Sequence, residues 1–137
     1  MAPSMLFVDT GAWYALLDRK DRNHDAAARF VQESHSPLVT STYVLDETVT
    51  LVQRHLGHAV AVRAGQQLWA EEIARLVHVT PADELLAWSI FTRYPDKGFS
   101  FTDCTSFAMM QRLGLDTAFA FDAHFEQYGQ FVRLPLV

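Results

Sequence analysis

One cysteine, Cys104, is the chain's whole stock of thiol chemistry, which excludes an internal disulfide framework and a Cys-rich zinc site. The six histidines, His24, His35, His55, His58, His78 and His124, form no HExxH pattern, and the His55/His58 pair reads as incidental. No GxxxxGK[ST] segment is present, so a P-loop nucleotide site is not expected. No run approaches the ~20 apolar residues of a membrane span. Met1–Met5 carries no basic residue and the apolar stretch that follows stops at Asp9, so no secretory signal is expected either. A reducing cytoplasm is the natural setting for such a chain. Positive charge is also short: 11 Lys and Arg stand against 16 Asp and Glu, a net charge of −5. Nucleic-acid binders are usually basic, so this balance argues against such a partner unless several acids converge on bound cations. Two divalent ions would cancel four of the five excess charges.

What is present is an ordinary soluble composition, half hydrophobic and 20% charged, over 137 residues. That length fits one domain, residues 1–137, and a domain of this size buries roughly 70% of its unfolded surface without help from disulfides or metals. Strand and helix signals alternate. Met5–Val8 reads as a buried strand, Thr10–Leu17 and His24–Ser34 as helices, and Pro37–Thr40 as a weak strand. Ser41 or Thr42 is placed to cap a helix over Tyr43–His55, with Gly57 just beyond its end. Ala59–Ala74 reads as a helix despite Gly65, Leu76–Val79 as a strand, and Pro81 suits the first turn of a helix running to about Tyr94. Pro95–Phe99 is a loop, and Ser100 with Asp103 resembles a capping box opening a helix to Leu113. Ala118–Phe121 is a strand, followed by a helical turn and a last apolar stretch, Phe131–Leu134. The alternation implies an α/β layered fold with a mainly parallel sheet.

In open parallel sheets, ligands bind outside the carboxyl ends of the strands. Asp9 and Asp122 each close a strand there. On neighbouring strands they would be close, and two carboxylates ~4 Å apart repel by about 4 kcal/mol at an effective dielectric of 20. A fold holds such a pair by binding a cation or sharing a proton. Each aspartate taken alone also makes sense as a helix N-cap. Asp103 has the same double reading, because a capping-box acid at a helix start also faces the ligand crevice. On the helix at Tyr43–His55, Val44, Thr48, Leu51, Val52 and His55 form one stripe, with Asp46 on the opposite, solvated side. Glu47 lies at the stripe's edge, together with Arg54, and fits either a cleft or a solvated flank.

Four segments carrying these acids resemble, in order, the motifs of PIN-domain proteins. They are Val8-Asp9-Thr10-Gly11-Ala12-Trp13, Leu45-Asp46-Glu47-Thr48, Phe99-Ser100-Phe101-Thr102-Asp103-Cys104, and Ala118-Phe119-Ala120-Phe121-Asp122-Ala123-His124-Phe125. The compact form is similar to VapC-type toxins of toxin–antitoxin pairs. That resemblance implies a three-layer α/β/α fold and a Mg²⁺- or Mn²⁺-dependent endoribonuclease. It also implies a homodimer and a cognate antitoxin that holds the enzyme inactive. By position Asp9, Glu47, Asp103 and Asp122 correspond to the family's acidic quartet, with Asp9 and Asp103 as direct metal ligands. Asp96-Lys97-Gly98 has a glycine where many relatives carry another acid.

Carboxylates suit this chemistry because hard cations prefer oxygen ligands. One ion would lower the pKa of a bound water for in-line attack, and a second would stabilise the leaving oxygen. On this reading Glu47 and Asp122 complete the shell through water or hold the second ion. Thr10 either fixes the carboxylate of Asp9 by a hydrogen bond or is a buried helix-start threonine. Arg54 and the run Arg19-Lys20-Arg22 are the candidate RNA contacts, and Trp13 and Tyr14 are either base-stacking residues or core. Haloacid-dehalogenase phosphatases also start with a strand and an aspartate, but need a second aspartate where this chain has Gly11. The remaining alternative is a PIN-fold protein that does not cut and binds protein or RNA.

Overall fold

Three consecutive apolar residues can be buried on both sides only inside a covered sheet, and Leu6–Val8 (β1) is buried at every position. The structure is a computed structural model describing residues 5–137; the expectation for residues 1–4 lies outside the described residues. After β1 come α1 (Thr10–Leu17), α2 (His24–Glu33), β2 (Leu38–Ser41), α3 (Thr42–Leu56) and α4 (His58–Trp69). The chain continues through β3 (Arg75–Val77), α5 (Pro81–Arg93), α6 (Phe101–Leu113), β4 (Thr117–Phe119), α7 (His124–Tyr128) and β5 (Val132–Leu134).

The five strands pair in the order β3-β2-β1-β4-β5, and every pairing is parallel. Crossovers between parallel strands are right-handed almost without exception. The helices of the steps from β1 to β2 to β3 therefore cover one face, and those of the steps to β4 and β5 the other. This gives the expected three layers. It also fixes where a ligand belongs, because the strand order reverses between β1 and β4, and open α/β sheets bind their ligands at that switch point.

Helix boundaries follow local chemistry. Ser41 Oγ accepts the Val44 N–H (3.0 Å) and Gly57, at φ +93°, ends α3. Thr80 and Asp83 exchange capping hydrogen bonds at the start of α5, with Pro81 in its first turn. Arg112 on α6 grips Asp83 through two bonds of 2.9 Å, fastening α5 to α6. α6 is the central helix, with eight consecutive residues, Asp103–Met110, buried. A helix buried on all sides carries whatever stands at its first turn into the interior, and here that is Asp103.

The chain departs most from the sequence expectation at three elements, α4, β4 and the C-terminal apolar stretch. α4 stops at Trp69 rather than Ala74, because the chain must reverse to lay β3 beside β2. Glu71 makes that turn at φ +56°, and its carboxylate accepts the Leu76 N–H at 2.8 Å. Gly65 sits inside α4 where a Cβ would meet Val49 of α3 at 3.3 Å, so its presence in a helix reflects a close interhelical approach. β4 ends at Phe119 rather than Phe121, since β1 has by then turned into α1. The last apolar stretch is a fifth strand, β5, shielding the other side of β4. No helix among the described residues is long and apolar enough to cross a membrane.

Candidate active site

Asp9 is positioned by the sheet itself. Its N–H donates to Phe119 O (3.0 Å), extending the β1–β4 ladder by one residue and holding it at the switch point. It stands at the N-cap of α1, yet its carboxylate accepts no capping hydrogen bond. The residue is 3% exposed, and Oδ1 is buried with no partner. Burial raises the Asp9 carboxyl well above the usual carboxylate range, and Asp122 and Asp103 raise it further; the Thr10 amide opposes them and Glu47 adds to them. The other three expected acids therefore all act on Asp9. Of the two readings of Thr10, the hydroxyl bond to Asp9 is absent and the buried helix-start threonine stands: that oxygen is buried without a partner, while the Thr10 backbone amide acts on Asp9.

Asp103 is held by the predicted capping box. Its N–H donates to Ser100 Oγ (3.0 Å), and its Oδ2 accepts the Ser100 N–H (2.9 Å). The cap and a place in the cleft coexist in one side chain. Burial raises its pKa, the Ser100 amide lowers it, Asp122 raises it, His124 lowers it and Glu47 raises it, leaving it above the usual range. Asp122 lies past the end of β4 on a turn, its side chain 43% exposed, with Oδ1 accepting the His124 N–H at 3.0 Å. Candidate ligand atoms of Asp103, Asp122 and His124 all fall within 4.8 Å of one another.

His124 was not among the expected site residues. Its signal was its position two residues after Asp122, at the offset where an aspartate turn bonds its own backbone, but six histidines without a pattern gave no reason to choose it. Its Nδ1 is 2.8 Å from Asp103 Oδ2, yet out of line for a hydrogen bond, so that buried nitrogen has no partner.

Glu47, half-buried on α3, lines a cavity of about 280 Å³ with Asp46, Thr50, Leu51, Arg54 and Thr102. Thr102 immediately precedes Asp103, so this cavity adjoins the acidic cluster. Asp46 is exposed as expected, but it borders the same cavity rather than lying on an unrelated side. Arg54 shares the cavity. Arg19, Lys20 and Arg22 are exposed on the loop between α1 and α2 and do not line it. Trp13 is core: it is 3% exposed, and its Nε1 donates to Thr40 Oγ1, which itself donates to Val8 O. Tyr14 turns its hydroxyl to Asp18 (2.7 Å), and the His58 ring pairs with Gln53 (2.8 Å).

These residues fit a hard divalent cation. The charges that raise Asp9 are other carboxylates, and its buried Oδ1 has nothing to bond. Like charges brought together and desolvated destabilise a fold unless a cation or a proton joins them.

Comparison with known proteins agrees with this geometry. Residues 6–130 match the PIN domain family. The 23S rRNA-specific endonuclease VapC20 of Mycobacterium tuberculosis (strain H37Rv) is 39% identical over 125 residues, covering 91% of this chain and 95% of that protein. The crystal structure of M. tuberculosis VapC20, described as a sarcin–ricin loop cleaving toxin, aligns with a TM-score of 0.86 at 38% identity, covering 91% of this chain and 95% of that one. FitAcB from Neisseria gonorrhoeae aligns with a TM-score of 0.70 over 96% of this chain and 97% of its own, at 14% identity, a likeness of fold. A family match over residues 6–130, joined to 39% identity with VapC20, makes this chain a member of the PIN-domain family, similar to VapC-type toxins.

Proposed function

We propose that the protein is a metal-dependent endoribonuclease, the toxin of a type II toxin–antitoxin pair, and that its substrate is the sarcin–ricin loop of 23S ribosomal RNA. The observation that carries this reading is the buried Asp9 carboxylate at the switch point, its Oδ1 without a partner and pressed by three further acids. The substrate rests on the likeness to VapC20. Asp9 and Asp103 are the direct ligands of Mg²⁺ or Mn²⁺, and Glu47 and Asp122 complete the shell through water or hold a second ion. A cation bound there supplies an activated water and positive charge for the phosphate oxygens.

The remaining work falls to the chain's own groups. The Thr10 and Ser100 amides orient Asp9 and Asp103. Arg54, beside Glu47 in the cavity, offers a cation to an RNA phosphate; Arg19, Lys20 and Arg22 offer more distant ones.

Two apolar surfaces suit the protein partners. A nearly all-apolar groove of about 200 Å³ runs between α1, α2 and α4, lined by Leu16, Leu17, Val31, Leu68 and Ile73 among others, and suits an amphipathic segment of an antitoxin. On α5, Leu85, Trp88 and Phe91 are 75%, 58% and 40% exposed, a patch suited to the two-fold contact of a homodimer.

The test is cleavage of ribosomes and of a sarcin–ricin hairpin with Mg²⁺, Mn²⁺ or EDTA. Metal-dependent cutting at one loop position, lost in Asp9→Asn and Asp103→Asn, is expected. Cutting that survives EDTA or both substitutions would sink the reading.

A further inference from the structure

The acidic cluster contains one side chain that is not an acid. His124 Nδ1 sits 2.8 Å from Asp103 Oδ2 and 3.6 Å from Asp122 Oδ1, buried but without a hydrogen-bond partner. An imidazole placed there only to orient Asp103 would be expected to donate along the line to its carboxylate. This one does not, although little prevents it except its mounting. The His124 N–H is fixed by Asp122 Oδ1 at 3.0 Å. The ring meets Phe99 edge to face at 5.6 Å, and Phe99 is 5% exposed and packed against Phe107 and Tyr94. Backbone and aromatic wall together aim the nitrogen between the two carboxylates.

A second observation points to the same place. Asp9, 3% exposed, leaves Oδ1 unpartnered while Asp103 and Asp122 act on it. Ligand atoms of Asp103, Asp122 and His124 thus lie within 4.8 Å of one another, beside a buried Asp9 oxygen that has no partner and feels both carboxylates.

We propose that His124 is itself a metal ligand through Nδ1, and that this nitrogen makes the centre select Mn²⁺ over Mg²⁺. The inference rests on the reading that Asp9 and Asp103 hold a divalent ion, and it adds the ligand that chooses among ions. Mg²⁺ takes oxygen donors in a strict octahedron and sheds water reluctantly, so exchanging an oxygen donor for imidazole nitrogen penalises it. Mn²⁺ accepts carboxylate oxygen as readily and tolerates nitrogen better, in keeping with its place among the transition metals.

The experiment is pulsed electron paramagnetic resonance of the full chain loaded with Mn²⁺ alone, paired with thermal-shift titrations of Mn²⁺ and Mg²⁺. Nitrogen modulation from a coordinated imidazole is expected in the wild type. It should change to the ¹⁵N pattern when the protein is made with ¹⁵N-histidine, a readout that needs no substitution. In His124→Gln the modulation should vanish, and the preference for Mn²⁺ over Mg²⁺ should fall by about tenfold or more. Mn²⁺ that binds in an Asp9- and Asp103-dependent way without nitrogen modulation would overturn the His124 assignment and leave the acidic site intact. Modulation surviving in His124→Gln, or equal weakening of both ions there, would overturn it too. Failure of the wild type to bind either ion, or binding unaffected by Asp9→Asn and Asp103→Asn, would overturn the underlying reading as well.

Discussion

Replacing Asp103 by asparagine should make the metal-free protein more stable while destroying its activity. Asparagine keeps an amide oxygen to accept the Ser100 N–H, so the capping box survives as a neutral contact. What disappears is a carboxylate only 6% exposed, with a ligand oxygen within 4.8 Å of one on Asp122. At 4.8 Å two charges repel by roughly 3.5 kcal/mol at an effective dielectric of 20 and roughly 0.9 in water. Asp122 is 43% exposed, so solvent screening brings the repulsion to about 1–2 kcal/mol. Weakening the cap from a charged to a neutral acceptor, together with losing the attraction of His124 for the carboxylate, returns about 1 kcal/mol of that. Releasing the buried charge from its desolvation adds to the gain. The net is a stabilisation of about 1 kcal/mol, or about 3–5 °C in Tm for a chain of this length.

Thermal unfolding in excess EDTA at neutral pH measures this directly. Adding Mg²⁺ or Mn²⁺ should then raise the wild type and leave D103N nearly where it was, reversing their order. The same linkage predicts a pH dependence. Asp9 and Asp103 hold their protons more tightly folded than unfolded. Their effect on metal-free stability is therefore most favourable at low pH. It declines as pH rises from about 4 through their raised values, then stays low. Divalent metal should flatten that decline. D103N less stable than wild type in EDTA would refute the reasoning, because it would mean that the cap outweighs the repulsion and that the acids are not under strain.

Arg112→Met should cost about 2 kcal/mol in urea unfolding, because it strands the buried Asp83; the figure sits below that for a fully buried pair since Arg112 is 38% exposed and the Thr80 cap remains. Burial raises Asp83, but the bonds from Arg112 and Thr80 outweigh it and hold its pKa below the usual range. Its contribution is thus present at neutral pH and lost as acid carries the solution down through that lowered value, the opposite trend to Asp9. Arg54→Ala should weaken RNA binding and reduce the slope of log K against log salt by about 1, with metal-induced stabilisation unchanged. Cys104 is fully buried, and burial, with Asp103 beside it, pushes its thiol up to about 11. Iodoacetamide should therefore label it only on unfolding, at a rate that follows denaturant; rapid labelling of the native protein would show α6 opening locally.

The parts of this molecule that could be read from sequence are those where one local rule has one answer. An apolar triplet ending in Asp9 had to be a covered strand opening onto a helix, and Ser100 with Asp103 had to cap one. Strand–helix alternation then required a parallel sheet. What escaped depends on distances across the fold. α4 ends early because β3 must reach β2, and nothing within residues 59–74 announces that. Phe131–Leu134 became a strand only because β4 exposes an edge beside it. Asp46 borders the Glu47 cavity because α6 brings Thr102 alongside α3, which helical periodicity alone does not show. The apolar groove between α1, α2 and α4 uses residue types indistinguishable in sequence from core. His124 escaped for the same reason: its nitrogen is aimed by Asp122 from two residues away and by Phe99 from twenty-five.

The acids themselves show how the local and the global readings join. Each has an ordinary local explanation, an N-cap, a capping box or a helix flank; for Asp103 the structure confirms it to the hydrogen bond, whereas Asp122 bonds the His124 N–H from the turn before α7, whose N-cap is Ala123. Local satisfaction nevertheless leaves Asp9 with an unpartnered oxygen in the interior. A fold that spent its carboxylates only on caps would let them face water, where the same hydrogen bonds carry no desolvation cost. Instead α6 is buried from its first turn, β1 delivers Asp9 to the point where the strand order reverses, and the turn after β4 brings Asp122 alongside. On the proposed metal-bound reading, a divalent cation would offset the stability lost by gathering these charges, so metal affinity and metal-free fragility should rise and fall together across substitutions at this centre.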